Sequence, residues 1–298
     1  MASTRELHGR IKSVGNIKQI TRAMEMVATT KLRRFQDRAV ASRPYSREIA
    51  GLVGRLAAVL GDDLDDRPLF QPGASEATAV LIVSSDRGLC GAYNANLLRF
   101  LEEWLVERKA SELPGTEPGP VDFYVVGRRG YQYLSKTGRN VERFLVEPPL
   151  EKMDYRGAAH IARLLTDEFM AGRYRDVQIV FTAFESMAKY VPTRTQLLPI
   201  AAEGLVDEGA SSESDVILEP DAATIFDTVV PRYLETAVYN ALLESLTSEF
   251  ASRRFSMKNA TEAANDMQGV LKGLYNRQRQ SSITMELLDI VGGVEALK

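Results

Sequence analysis

"GRIKSVGNIKQITRAMEMVATTKLRR", residues 9–34, contains no proline, and its apolar residues are spaced rather than contiguous. From Leu7 they recur as Leu7, Ile11, Val14, Ile17, Met24, Val27, Leu32 and Phe35. Steps of three and four dominate, which predicts one apolar stripe along a helix. The stripe resumes beyond "SRPYSRE" with Ile49, Leu52, Val53, Leu56, Val59 and Leu60, so Pro44 predicts a kink rather than an end. "GDDLDDRPLFQPG", residues 61–73, stops the element. A helix over 4–60 is about 85 Å long at 1.5 Å per residue.

The far end repeats the pattern. Between Asp221 and Leu297 the only proline is Pro231. A stripe runs Ile225, Val229, Tyr233, Ala237, Leu242, Leu246, Phe250, Met257, Ala264, Leu271, Leu274, Ile283, Leu287, Ile290, Val294. As one helix this is about 115 Å, more than a domain of ordinary size can contain. Two such helices bury their stripes by packing on each other as a coiled coil. Arg254 and Thr261 interrupt the second stripe, and Gln280 falls where a seam residue is expected. The impurity implies that part of this surface meets something else.

Between the helices, residues 76–215 alternate strand-like and helix-like runs. Val80–Val83, Phe123–Val126 and Val177–Phe181 are short, apolar and rich in β-branched residues. "NANLLRFLEEWLVERK", "RRGYQYLSKT" and "YRGAAHIARLLTDEFMAG" are amphipathic. The alternation predicts a Rossmann-like α/β domain with a parallel core, to which "PTRTQLLPI" adds an edge strand. "SELPGTEPGPV" and "EGLVDEGASSESD" are loops by composition, the second acidic and serine-rich. The predicted fold is therefore α/β, with a coiled coil of residues 1–60 and 221–298 as one discontinuous domain around 76–215.

The turn after the first strand, "SSDRGLCGAYNAN" (84–96), is where a nucleotide-binding domain would hold phosphate. A dinucleotide site needs G-x-G-x-x-G and a P-loop G-x-x-x-x-G-K-[ST]; "DRGLCG" satisfies neither. No lysine follows, and Asp86 sits where it would repel a phosphate. Gly88 and Gly91 are expected to serve a tight turn, with positive φ at one or both. Ser84, Ser85 and His160 lack a G-x-S-x-G elbow, and Glu102 and Glu103 are expected on a solvated helix face. His8 and His160 lie far apart, with Cys90 the one cysteine, so neither a metal site nor an internal disulfide is expected. Cys90 is expected to be buried. No cofactor is implied.

At 298 residues, 45% hydrophobic and 26% charged, the chain has ordinary globular composition. Its net charge of −3 gives no global bias toward nucleic acid. Eleven Lys/Arg against three acids mark residues 1–47, but only Phe35 and Tyr45 there could stack on bases. No signal-peptide core and no run of membrane-spanning length occur. Two alternatives stand beside the coiled-coil reading: a nucleotide-dependent α/β enzyme, and a coiled-coil scaffold or nucleic-acid-binding arm.

The block at 9–34, "SSDRGLCGAYNAN" and "LYNRQRQSSITMELLDIVGGVEAL" (274–297), in that order and spacing, together resemble the gamma subunit of the F-type ATP synthase. The resemblance covers nearly the whole chain. It implies an antiparallel coiled coil serving as the central shaft inside a ring of three alpha and three beta subunits. It also implies a lower region seated on the epsilon subunit and the c-ring, and no catalytic site in this chain. Met24, Met26 and Val27 match the segment facing the acidic lever of the beta subunit, with Glu25 at a position the family usually makes basic. Arg254 and Met257 match the family's R-x-x-M-K stretch. Arg279 and Gln280, followed by Ile283, Thr284 and Glu286, match the block that engages a beta-subunit loop. Gly292 and Gly293 keep the tip slender. The two-cysteine redox insertion of the chloroplast form is absent. The expected setting is the cytoplasmic face of a bacterial plasma membrane, with membrane association only through the complex.

Overall fold

The computed structural model describes residues 3–64, 66–110, 119–201 and 221–296. It divides into two compact units, Met1–Thr30 with Arg253–Lys298, and Lys31–Ser252. Two helices run through both units: α1, Thr4–Leu60, and α5, Ala222–Ala296. The division falls within these helices, and residues 31–60 and 222–252 share a unit with the sheet. α1 continues through Pro44 without a break. α5 starts on Asp221, whose carboxylate accepts from Thr224 N and Thr224 Oγ1, each at 2.8 Å.

In the first unit the two helices are antiparallel. Thr21 Oγ1 lies 2.8 Å from Thr261 Oγ1, Lys18 Nζ donates to Asn265 Oδ1 at 2.6 Å, and the ring of His8 lies 6.1 Å from that of Tyr275. Burial on α1 follows Leu7, Ile11, Val14, Lys18, Thr21, Glu25 and Ala28. On α5 it follows Met257, Thr261, Ala264, Gln268, Leu271, Tyr275, Gln278 and Ser282. Both series step alternately by three and four, the heptad of a left-handed coiled coil. The expected stripe is corrected at Ile17 and Val27, which are 52% and 55% exposed. Polar Lys18, Thr21 and Glu25 hold the seam instead. Thr261, read as an interruption, is a seam residue, whereas Leu274, Gln280 and Ile283 are exposed.

The second unit contains a five-stranded sheet of order β3-β2-β1-β4-β5. The strands are β1 Thr78–Val83, β2 Val121–Val126, β3 Val141–Leu145, β4 Asp176–Phe184 and β5 Tyr190–Leu198. All pairings are parallel except β4 with β5. β1 is buried at every position, as a central parallel strand covered on both faces must be. The connecting helices are α2 Tyr93–Ala110, α3 Arg128–Lys136 and α4 Tyr155–Met170. One face of the sheet packs Val80, Ile82, Phe123, Val125 and Val180 against Leu97, Leu101 and Leu105 of α2 and Leu134 of α3. "PTRTQLLPI" supplies the antiparallel edge strand. β3 is an addition to the predicted elements, as its "VERFL" carries two charges on the opposite edge. The acidic loop expected at 203–215 lies outside the described residues, as do residues 111–118 of the first predicted loop.

In this same unit α1 and α5 are again antiparallel. Phe35 stacks on Phe250 with centroids 5.4 Å apart, and Asn240 lies between the hydroxyls of Ser42, at 3.1 Å, and Ser46, at 2.6 Å.

Candidate functional site

Open α/β sheets bind ligands beyond the carboxyl ends of their strands, where the strand order reverses. Here that point is β1, flanked by β2 and β4, and the following turn is 84–92. The chain's own groups occupy it. Asp86 Oδ1 accepts from Arg128 N at 3.2 Å, and its Oδ2 from Leu150 N at 3.3 Å. A carboxylate thus stands at the N-terminus of α3, where a phosphate would bind. Ser84 Oγ accepts from Gly130 N at 2.8 Å and donates toward Val126 O and Gly127 O, both at 3.1 Å. A Cβ on Gly127, whose φ is 94°, would come within 2.1 Å of Ser84 O, so the strand–helix turn closes tightly on β1. Ser85 Oγ donates to Arg87 O at 2.8 Å and meets Asn94, which also reaches Cys90 Sγ at 3.2 Å. Cys90 is buried. The left-handed residues of the turn are Leu89, φ 63°, and Gly91, φ 56°; Gly88 is not among them.

The adjoining crevice between β1 and β4 is filled by α5. β1 and β4 pair only as far as Ile82 and Val180, so main-chain groups beyond that rung need other partners. Ser245 Oγ donates to Val83 O at 3.4 Å and accepts from Thr182 N at 3.3 Å and from Tyr93 OH at 3.2 Å. Ser248 Oγ donates to Thr182 O at 3.1 Å, and Ser252 Oγ to Cys90 O at 2.6 Å. The three serines lie on one helix face and are 0, 0 and 1% exposed. Burial pushes the Tyr93 phenol far above its usual pKa, with the charge of Glu249 adding to the effect, so it remains a neutral donor. Withdrawing α5 would strand buried carbonyls at about 1–3 kcal/mol each. The switch point is closed by the chain's own groups. Among the described residues no three His, Cys, Asp or Glu side chains converge as a metal requires.

Surfaces remain. Met24 and Glu25 are half-buried on the seam side of α1, whereas Met26 is exposed. The two methionines thus divide as their spacing requires. Arg254 is half-buried, and Arg279, Gln280, Thr284 and Glu286 are exposed. Met257, of the same R-x-x-M-K stretch, is buried at a seam position. The signal missed in the sequence is the length of apolar surface at the end of α5. Ser282 is the last seam residue, and beyond it Ile283, Met285, Leu287, Leu288, Ile290 and Val291 are 49–63% exposed. Apolar residues over well over half the circumference of a lone helix, with Glu286 and Asp289 on the remaining side, mark a largely buried environment supplied from outside. No helix among the described residues is long and apolar enough to cross a membrane.

A closed α/β domain and a long two-helix pair with an uncovered apolar end define an assembly subunit that works through its surfaces. A family model described as ATP synthase matches residues 3–297. The ATP synthase gamma chain of Geotalea uraniireducens is 37% identical over 298 residues, with all of both chains covered. That of Mycobacterium tuberculosis is 40% identical over 310 residues, covering 99% of this chain and 98% of its own. The chain belongs to the ATP synthase gamma-chain family. Its fold is shared with a chain in the Euglena gracilis mitochondrial ATP synthase OSCP/F1/c-ring assembly, at TM-score 0.66 and 20% identity over 99% of this chain and 94% of that one. A chain in the central stalk and c-ring of the Tetrahymena thermophila enzyme gives TM-score 0.57 and 23% identity, covering 81% and 99%.

Proposed function

We propose that this chain is the rotating central-stalk subunit of a bacterial ATP synthase, coupling proton-driven rotation to ATP synthesis or hydrolysis at sites on the beta subunits. It carries no catalytic site of its own. Residues 1–60 and 221–298 act as the torque-bearing element, and 76–215 as the domain attached to it. The partners are three alpha and three beta subunits, the epsilon subunit and the c-ring. The complex lies on the cytoplasmic face of the plasma membrane.

The observation that carries the reading is the uncovered apolar end of α5 beyond Ser282. Apolar burial is non-directional. A slender apolar tip in an apolar sleeve can therefore turn without breaking directional contacts. Two methionines and a set of charged and polar groups meet the beta lever and loop: Met24, Glu25, Met26, Arg254, Arg279 and Gln280, with Thr284 and Glu286 within the end itself. Surface ion pairs of about 0–1 kcal/mol are weak enough to exchange at each step. Met257 supports this face from within the seam. A helix pair has no threefold axis, so a pseudo-threefold ring around it holds its sites in different states.

The test is co-expression with alpha and beta subunits. A stable complex with three of each per copy of this chain, active in ATP hydrolysis, is expected. A chain that purifies alone and binds ATP or NAD at micromolar concentration would overturn the reading.

A further inference from the structure

We infer that Ser245, Ser248 and Ser252 form a position-specific joint that transmits turning between α5 and the α/β domain, an inference that rests on the rotor reading above. A helix is ordinarily held against a sheet by apolar packing, which constrains its distance more than its exact position along the surface. The carboxyl end of this sheet is different. Three buried hydroxyls at i, i+3 and i+7 each address one main-chain carbonyl, Val83 O, Thr182 O and Cys90 O. Ser245 Oγ also accepts from Thr182 N and Tyr93 OH, so its single donor and both acceptor positions are used.

The targets lie on three separate pieces of chain: the end of β1, the stretch of β4 past its last rung with β1, and the turn before α2. A slide of one residue along the axis, or a rotation of one position, breaks all of these bonds together. The hydroxyls therefore index α5 against the domain, as teeth on a shaft do. Apolar neighbours such as Leu242 and Leu246 fill volume without fixing register. These serines are positioning residues: they touch no nucleotide, and they act through the helix they hold.

The experiment uses the assembled enzyme in phospholipid vesicles, with the Ser245→Ala/Ser248→Ala/Ser252→Ala chain compared with wild type and with Leu242→Ala. Hydrolysis and proton pumping are measured on the same vesicles. The triple variant is expected to lower protons pumped per ATP about fivefold, the population factor that roughly 1 kcal/mol produces. Leu242→Ala is expected to lose thermal stability while keeping the pumping ratio. Should the triple variant fail to fold, Ser248→Ala alone is measured against Ser248→Thr, which keeps the hydroxyl and is expected to restore coupling. Hydrogen exchange at the Thr182 amide is expected to quicken in Ser245→Ala. A triple variant that pumps as wild type, or a ratio that falls equally in Leu242→Ala, overturns the joint. A wild-type chain that never assembles with alpha and beta overturns the rotor reading instead.

Discussion

Thr21→Cys/Thr261→Cys tests the helix register directly. The two Oγ1 atoms are 2.8 Å apart across the seam, and the neighbouring Lys18–Asn265 contact fixes the same alignment. Cysteines there fall within bridging range, whereas a register shifted by one helical turn displaces them by about 5.4 Å. The closed loop is long enough that chain entropy alone sets a ceiling of about 5 kcal/mol, and a realised gain of about 2–4 kcal/mol is expected. That corresponds to a rise in thermal midpoint of roughly 3–6 °C on oxidation. Cys90 is buried and does not compete. The assay is thermal unfolding with and without reductant, together with thiol titration. In the assembled enzyme, hydrolysis is expected to persist after oxidation, because the two helices turn as one body. More than one free thiol per unfolded chain after mild oxidation of the folded protein, beyond that of Cys90, would refute the register, and a bridge that abolishes hydrolysis would refute the rotation of the pair as a unit.

Arg279→Ala, at an exposed position, is expected to impair coupled activity while leaving the unfolding midpoint unchanged; unaltered turnover and torque would remove it from the contact face. Glu25→Lys is expected to preserve or raise hydrolysis if the position meets an acidic lever, and a marked loss would assign it another partner. Burial raises the pKa of Tyr93, Tyr124 and Tyr174 above the ordinary value of 10.0. Their contribution to stability is full below pH 10 and is lost as the pH climbs above it, because the unfolded chain then ionises first. Chemical denaturation between pH 9 and 11 is expected to show this decline, and Tyr93→Phe to flatten it; an identical slope in the variant would reject the assignment.

Much of the architecture is legible in apolar spacing. Steps of three and four announce both long helices, and the unbroken run in β1 announces a strand covered on both faces. The phase of the seam is not legible, because Lys18, Thr21 and Glu25 occupy heptad positions while apolar Ile17 and Val27 sit beside them. A reader following hydrophobicity is drawn off the true line. β3 hides for a similar reason, since an edge strand can carry Glu142 and Arg143. Asp86 holds the N-terminus of α3 where a phosphate would otherwise stand, and the departure of "DRGLCG" from the phosphate-binding motifs is legible. What fills the crevice is not. Ser245, Ser248 and Ser252 are unremarkable helix residues, and their partners are main-chain atoms 66 to 162 positions away, beyond any local pattern.

The strict alternation of threes and fours has a mechanical consequence. An ideal straight helix drifts by about 20° per heptad relative to such a repeat, so two helices keeping this pattern wind around one another in a left-handed sense. Over the three heptads from Leu7 to Ala28 the accumulated winding is roughly 60°. A wound pair is chiral under load: torque of one hand tightens the strands on each other, and torque of the other hand loosens them. The stiffness of this pair therefore depends on the direction of the torque applied to it.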